Sequence, residues 1–533
     1  MTLSPPQKSN PPRRRFPILQ LGLAFALVVA TVFTPLKLER AGFTSVQAQA
    51  SFFNKELEIF EEVLDLVADK YVYPPDYRKL FGSVIDAMLS MPPEGALEIT
   101  EHGDGKTIVS GSSKLMFHLN YSYDDNLRSA RKVFRFLLKH HTDSIKEDQL
   151  ETIAIHGIMS SLDNYSLYLN PEEFENSMRD TEGQYGGLGM VITLEDLKLT
   201  VVKTMKGSPA EEAGLLKGDI ITHVDGEEIK GMQIHELAAR LRGLPDTQVK
   251  IRTLRPKTGE KSRFTMTRRV IHIESVEFKW LKDDTAYIKI SSFSKRTNEQ
   301  LEAALEKATE KGMRALVLDL RSNPGGLLNQ SVLVASHFLE EGRLIVYTRG
   351  RHVRDSQEYD AMFSESLSKL PVAVLINGHS ASASEIVAGS LRDSGKAILI
   401  GENSYGKGSV QTIFRMSDGS GLRLTTSKYF TPSGIDITEQ GITPEIRIEK
   451  DLPPDPEEKR STEKTKTKRK LRGLDPLTVK ESEIRQYLKS KGISPDQEID
   501  SQVHLARIVL KNSKPTRSHT LAKARKLVQD MHF

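Results

Sequence analysis

Cysteine is absent from the 533 residues, which removes disulfide bonds, a lipid-modified cysteine and thiol catalysis together. An oxidising compartment stays open to such a chain. An excess of one charge is also lacking: 75 Lys and Arg against 71 Asp and Glu leave +4, too little over this length to argue for nucleic acid. Long apolar runs are scarce, and the one that counts covers residues 16–33, after Arg13, Arg14 and Arg15 and ahead of Ala48-Gln49-Ala50. That order predicts a bacterial export signal over residues 1–50. It is either cleaved or kept as an inner-membrane anchor, since the run nearly reaches the ~20 residues of a membrane span. The remaining chain is expected in the periplasm or cell envelope.

The length exceeds what one core fills, so several domains are expected. Over residues 51–180, Phe53, Leu57, Phe60, Val63, Leu64 and Val67 recur at helical spacing, Pro74-Pro75 interrupts them, and helical patterning returns at 127–140 and 146–161. This predicts a helical domain, suited to self-association as a homo-oligomer. Its polar, irregular residues 92–124 are expected to be a short hairpin or loop insertion. Residues 185–270 alternate as strands between glycine-rich turns, among them Asp225-Gly226. From 271 to 450 strands at 286–290, 315–320, 372–376 and 397–401 alternate with helices at 298–311, 327–339 and 384–394, which predicts an α/β core. A hairpin at 410–430 follows. Residues 451–473, opened by Pro453-Pro454-Asp455-Pro456 and then dense in Lys and Arg, read as a solvated basic linker. Residues 474–533 read as a helical carboxyl-terminal extension, with no function evident. The fold class is multidomain α+β.

Chemistry concentrates between residues 380 and 411, in Ser380-Ala381-Ser382-Ala383-Ser384-Glu385-Ile386 and Tyr405-Gly406-Lys407-Gly408-Ser409-Val410-Gln411. The nearest imidazole, His379, is too close along the chain to turn freely onto Ser382. With thiols excluded, Ser382 with Lys407 as its base is the more economical nucleophilic pair. Ser382 followed by Glu385 is equally a capping box at a helix start, and a glycine-flanked lysine is commonly a solvated loop residue. A free lysine titrates near ~10.4, so a base at neutral pH demands a burial cost of about 4 kcal/mol. If the following segment is extended, Gln411 shares a face with the lysine and its amide reaches the amine.

These two motifs together resemble the signature of the C-terminal processing (tail-specific) serine peptidases, and the likeness extends over residues 185–444. It implies Ser382 as nucleophile, Lys407 as general base and Gln411 as the residue that orients the lysine. It also implies a crotonase-like α/β peptidase core. In Asp319-Leu320-Arg321-Ser322-Asn323-Pro324-Gly325-Gly326 the family's oxyanion donor falls on Gly325 or Gly326, paired with the N–H of Ala383. Asp393 matches a family position of unsettled role, and as a helix-end residue it is equally a solvated one. Tyr185-Gly186-Gly187-Leu188-Gly189-Met190, with Gly207-Ser208-Pro209-Ala210-Glu211-Glu212-Ala213-Gly214-Leu215 and Lys217-Gly218-Asp219, resembles a PDZ domain. Gly187, Leu188, Gly189 and Met190 sit where such domains bind a terminal carboxylate on exposed N–H groups.

The resemblance therefore implies an exported serine endopeptidase that needs no metal or cofactor. Its partners would be proteins with unstructured carboxyl-terminal tails, an adaptor lipoprotein being compatible with that. A catalytically inert PDZ adaptor and a crotonase-like acyl-CoA enzyme are the rival readings.

Overall fold

The computed structural model describes residues 57–531 except 103–104, 196, 365, 439, 452–475 and 496–498. The expected export signal and nearly all of the basic linker lie outside the described residues. Phe60, Val63, Leu64 and Val67 bury one stripe of α1 (Glu58–Lys70). Pro74-Pro75 cannot continue that helix, and Asp76 starts α2 (Tyr77–Leu89) by accepting the N–H of Lys79. Residues 92–124 are more ordered than a loop: β1 (Glu98–His102), β2 (Gly105–Ser110) and β3 (Ser113–His118) form an antiparallel sheet. Ile108 and Phe117 reach the helical core from it and Leu115 packs against that core, while β1 is exposed throughout, so the stretch reads as polar. α3 (Tyr123–His140) and α4 (Glu147–Ser161) complete the helical part, followed by β4 (Leu167–Leu169) and α5 (Pro171–Glu182). The apolar stripe of α1 is used within the chain, in one cluster with Tyr168, Leu422 and Leu424.

The next strands are β5 (Gln184–Gly187), β6 (Met190–Glu195) and β7 (Lys198–Thr204). After the one-turn α6 (Pro209–Glu212) come β8 (Ile220–Val224), β9 (Glu227–Glu228), α7 (Ile234–Leu241), β10 (Gln248–Arg255), β11 (Glu260–Thr267) and β12 (Arg269–His272). Strand order is β11-β10-β8-β7-β6 with β9 beside β8, while β5 and β12 pair separately. β6 is thus a sheet edge, and Leu237 and Leu241 of α7 share its apolar core.

Continuous apolar runs then produce buried strands. β13 (Val276–Leu281) and β14 (Thr285–Ile290) pair antiparallel; α8 (Thr297–Glu310), β15 (Ala315–Asp319) and α9 (Leu328–Ser336) follow. β16 (Leu344–Gly350) and β17 (Gln357–Asp360) leave the main sheet, which resumes with β18 (Val372–Ile376), α10 (Ala383–Asp393) and β19 (Ala397–Gly401). The hairpin β20 (Ser409–Arg415) and β21 (Gly421–Phe430) joins the second sheet, ordered β17-β16-β21-β20, with β4 also on β21. β22 (Ile446–Glu449) and β23 (Leu477–Lys480) close the main sheet, and α11 (Glu481–Ser490), α12 (Ser501–Leu510) and α13 (Arg517–Met531) end the chain.

The main sheet has the order β13-β14-β15-β18-β19-β22-β23, parallel from β14 onward. Alternate residues face opposite sides. Leu316 and Leu318 of β15 meet α8, α9 and α10, whereas Ala315 and Val317 meet Ile484, Leu505, Val509 and Val528 of the last three helices. The carboxyl-terminal extension is therefore a strand as well as helices, and it forms one whole face of the core. Among the described residues no helix is long and apolar enough to cross a membrane.

Candidate active site

Ser382 stands at the N-cap of α10, beyond the carboxyl end of β18. Its backbone has φ 54° and ψ −114°, a sparsely populated region for any residue with a side chain. The carboxylate of Glu385 accepts the N–H of Ser382 at 2.8 Å, which is the Glu half of a capping box. The Glu385 N–H goes to the backbone oxygen of Ser382 at 2.8 Å, and among the described residues the Ser382 hydroxyl has no hydrogen bond of its own at this helix start.

Glu385 is fully buried and does more than cap. It also accepts from Ser404 Oγ at 2.6 Å, Gly406 N at 2.7 Å and Lys407 N at 3.0 Å. One carboxylate thus fixes the main chain of both Ser382 and Lys407. Burial pushes its titration up, against the pull of those four donors. The buried Tyr429 hydroxyl adds a second tie, within reach of Ser382 O at 3.2 Å and Lys407 O. Sequence reading found Glu385 only as a helix cap, and nothing in the sequence singles out Tyr429.

The amine of Lys407 lies over the ring of Tyr165, 4.7 Å from its centroid, and makes no hydrogen bond among the described residues. Desolvation by burial lowers its pKa, the charge of Arg423 lowers it further, and Asp163 and Glu385 oppose them. Gln411 does not reach this amine. Its Nε2 donates to Ser409 Oγ at 2.9 Å and Thr425 Oγ1 at 3.4 Å, and Thr425 Oγ1 donates to Asp163 at 3.1 Å. Ser382 and Lys407 are brought together through Glu385, while Gln411 lies beside them in a different hydrogen-bond set. Tyr165 and Asp163 come from the segment Leu162-Asp163-Asn164-Tyr165, whose chemistry the sequence did not reveal.

A second buried lysine needs distinguishing. Burial pushes Lys396 down to about 7, but its Nζ donates to the carbonyl oxygens of Leu367 at 2.8 Å, Ser368 at 2.9 Å and Leu370. Those acceptors keep the proton in place, and Lys396 is an anchor for the loop ahead of β18. Asp393 is likewise structural. Burial raises its pKa, yet Arg392, Ser433 and Thr431 hold it below the usual range, and it accepts from Ser433 N at 3.2 Å. It is buried in that turn rather than solvated.

The glycine pair packs directly on Ser382. A Cβ at Gly325 would lie 2.8 Å from Ser382 Cβ and 3.0 Å from Ala383 N. The Gly325 N–H is already given to Asn323 Oδ1 at 2.9 Å, whereas the N–H groups of Gly326 and Ala383 make no hydrogen bond among the described residues. Asn323 is fully buried and also accepts, through its backbone oxygen, from Ala381 N and Ser384 Oγ. In the smaller domain Leu188 is buried, so only its backbone is offered. Among the described residues the N–H groups of Leu188 and Gly189 have no partner beside the β6 edge, while Gly187 lies in β5 and Met190 begins β6.

The profile of Peptidase family S41 matches residues 284–448 and that of the PDZ domain residues 200–255. A carboxy-terminal-processing protease of Bartonella bacilliformis is 38% identical over 353 residues, covering 65% of this chain and 77% of that protein. A carboxyl-terminal-processing protease of Synechocystis is 35% identical over 343 residues, 63% of this chain and 79% of that protein. A probable CtpA-like serine protease of Staphylococcus aureus is 35% identical over 334 residues, 62% of this chain and 66% of its own length. With its PDZ domain, its S41 peptidase domain and relatives of this identity and coverage, the chain belongs to the carboxyl-terminal-processing serine peptidases of family S41.

Proposed function

We propose that this peptidase binds the carboxyl-terminal tails of its substrates on the PDZ domain and cleaves with Ser382 as nucleophile and Lys407 as general base. The core that carries them is read as crotonase-like. The observation that carries the assignment is the shared Glu385 carboxylate, which fixes the main chain on both sides of the reaction while leaving the Ser382 hydroxyl unbonded. In the reaction Lys407 swings from the Tyr165 ring to the hydroxyl and takes its proton as Oγ attacks the scissile carbonyl carbon. The developing oxyanion accepts from Ala383 N and Gly326 N, the free donor of the glycine pair. The resulting ammonium returns its proton to the leaving amine. Water, deprotonated by the same lysine, then releases the acyl group, and Gln411 orients the amine once it has turned from Ser409.

Unpaired N–H groups at Leu188 and Gly189 would take the tail's carboxylate, and the free edge of β6 would extend it as an added strand. Such a site favours tails without competing structure. Residues 1–50 are read as the export signal or anchor, placing the enzyme in the periplasm or cell envelope, where an adaptor lipoprotein is a compatible partner. A homo-oligomer would have to use surface other than the apolar stripe of α1, which the chain itself covers. Purified protein incubated with a carrier ending in an unstructured apolar tail tests the mechanism. Cleavage is expected to disappear in Ser382→Ala and in Lys407→Ala, and cleavage surviving in both refutes the assignment.

A further inference from the structure

The carboxyl-terminal segment has no role in the chemistry described so far, yet it touches the oxyanion turn. Arg321 opens that turn two residues after Asp319, the last residue of β15. Its guanidinium is nearly buried and forms a fork with Asp319, at 2.7 Å from Nη2 to Oδ2 and 3.0 Å from Nε to Oδ1. Asp319 is itself fixed by the Tyr287 hydroxyl at 2.9 Å. The other side of the guanidinium faces α12: Asp500 Oδ2 lies 2.8 Å from Nη2, and Gln502 Oε1 accepts from Nη1 at 3.1 Å. Asp500 is also the N-cap of α12, where its Oδ1 accepts the N–H groups of Gln502 and Val503.

Two residues past Arg321 the chain reaches Asn323, after Ser322 at φ 59°, a left-handed turn that a residue with a side chain adopts only when held. From the nucleophile side the turn is held by Asn377, which accepts the Ser322 N–H at 2.8 Å, and by Ala381. On the opposite side Asn323 Nδ2 donates to Ile290 O at 2.9 Å and Gly325 O accepts the Phe293 N–H at 2.9 Å, while Arg321 ties the start of the turn to the carboxyl-terminal segment. We propose that the carboxyl-terminal segment is a positioning element of the catalytic site, with Asp500 and Gln502 gripping Arg321 so that the turn keeps Gly326 N aimed beside Ser382. This rests on the oxyanion reading above. A donor displaced by a fraction of an ångström still binds substrate but serves the transition state less well, so the effect belongs in kcat.

Asp500→Asn in the full chain separates the two duties of this residue. Asparagine caps a helix as well as aspartate, while its NH2 group cannot accept from the guanidinium. With the tailed carrier as substrate, kcat is expected to fall about tenfold with KM and melting temperature unchanged, less than the ~10²-fold loss of a whole oxyanion donor. An unchanged kcat overturns the proposal. So does a loss of activity that only follows a fall in melting temperature, since Asp500 would then be no more than a support for α12. Ser382→Ala run alongside keeps the outcomes apart: activity in that variant sinks the catalytic assignment, whereas an inactive Ser382→Ala beside a fully active Asp500→Asn sinks this proposal alone.

Discussion

Replacing Glu385 by glutamine is the sharpest perturbation of the site, because shape is kept and one acceptor oxygen is lost. In the native protein Oε2 serves Ser382 N and Lys407 N, and Oε1 serves Ser404 Oγ and Gly406 N. A glutamine amide can place its oxygen toward only one of these pairs and turns an NH2 group against the other. Two buried donors are then left without acceptors, at about 1–3 kcal/mol each. If the oxygen stays with Ser404 and Gly406, the penalty of about 2–6 kcal/mol falls on the main chain of Ser382 and Lys407. It is relieved only by their moving apart. The variant should therefore lose stability and lose kcat by about 10²-fold or more, the scale expected when reacting groups shift by roughly 1 Å. Steady-state cleavage of the tailed carrier, with urea unfolding of the same preparations, measures both. Near-native kcat in a folded Glu385→Gln protein would refute the claim that this carboxylate joins the two halves of the site.

Lys407 yields a pH test. Its folded pKa lies below the ordinary lysine value, so cleavage should rise with pH through a midpoint below 10.5. The same shift costs the folded state stability, in full below the folded pKa and fading as pH climbs towards 10.5. Lys407→Met should therefore melt above the wild type at pH 7, with the gap closing in alkaline buffer; a gap that widens with pH is the contrary result. Gly326→Ala places a Cβ 2.3 Å from Phe293 O at φ 143°, so kcat should drop by at least about 10²-fold, and an active variant would remove Gly326 from the oxyanion role. Ending the chain at Lys450 strips the main sheet of the helices that cover Tyr287, Val317, Leu375, Ile398, Ile400 and Ile446. At about 1.5–3 kcal/mol per large apolar side chain, this exceeds the stability of a typical domain, and the truncated protein should be insoluble or lack a cooperative transition.

Much of this was legible in the sequence for identifiable reasons. The runs at residues 372–376 and 397–401 are apolar on both faces, as buried parallel strands require, and they form β18 and β19 as expected. The Ser-Ala-Ser-Ala-Ser-Glu and Tyr-Gly-Lys-Gly motifs led to the site, but not to how its parts are joined. Glu385 carries the same letter whether it caps a helix or fixes a lysine segment, and only three-dimensional proximity separates the two. The choice between Gly325 and Gly326 rests on a side-chain acceptor from Asn323, which no glycine pattern encodes. β23 escaped because Leu477–Lys480 is four residues long and gains its partner only from the parallel pairing with β22 across the basic linker. The short hairpin expected within residues 92–124 is there but extended to three strands, of which β1 is exposed throughout while β2 is turned inward.

The backbone of Ser382 carries one more consequence. A side chain held at φ 54° and ψ −114° costs about 1–3 kcal/mol that glycine does not incur, so a serine is maintained here against the interest of the fold. Ser382→Gly should give an inert protein that is sturdier than its parent. If Ser382 is kept for the proposed reaction, a lineage released from that reaction would drift toward glycine at this position.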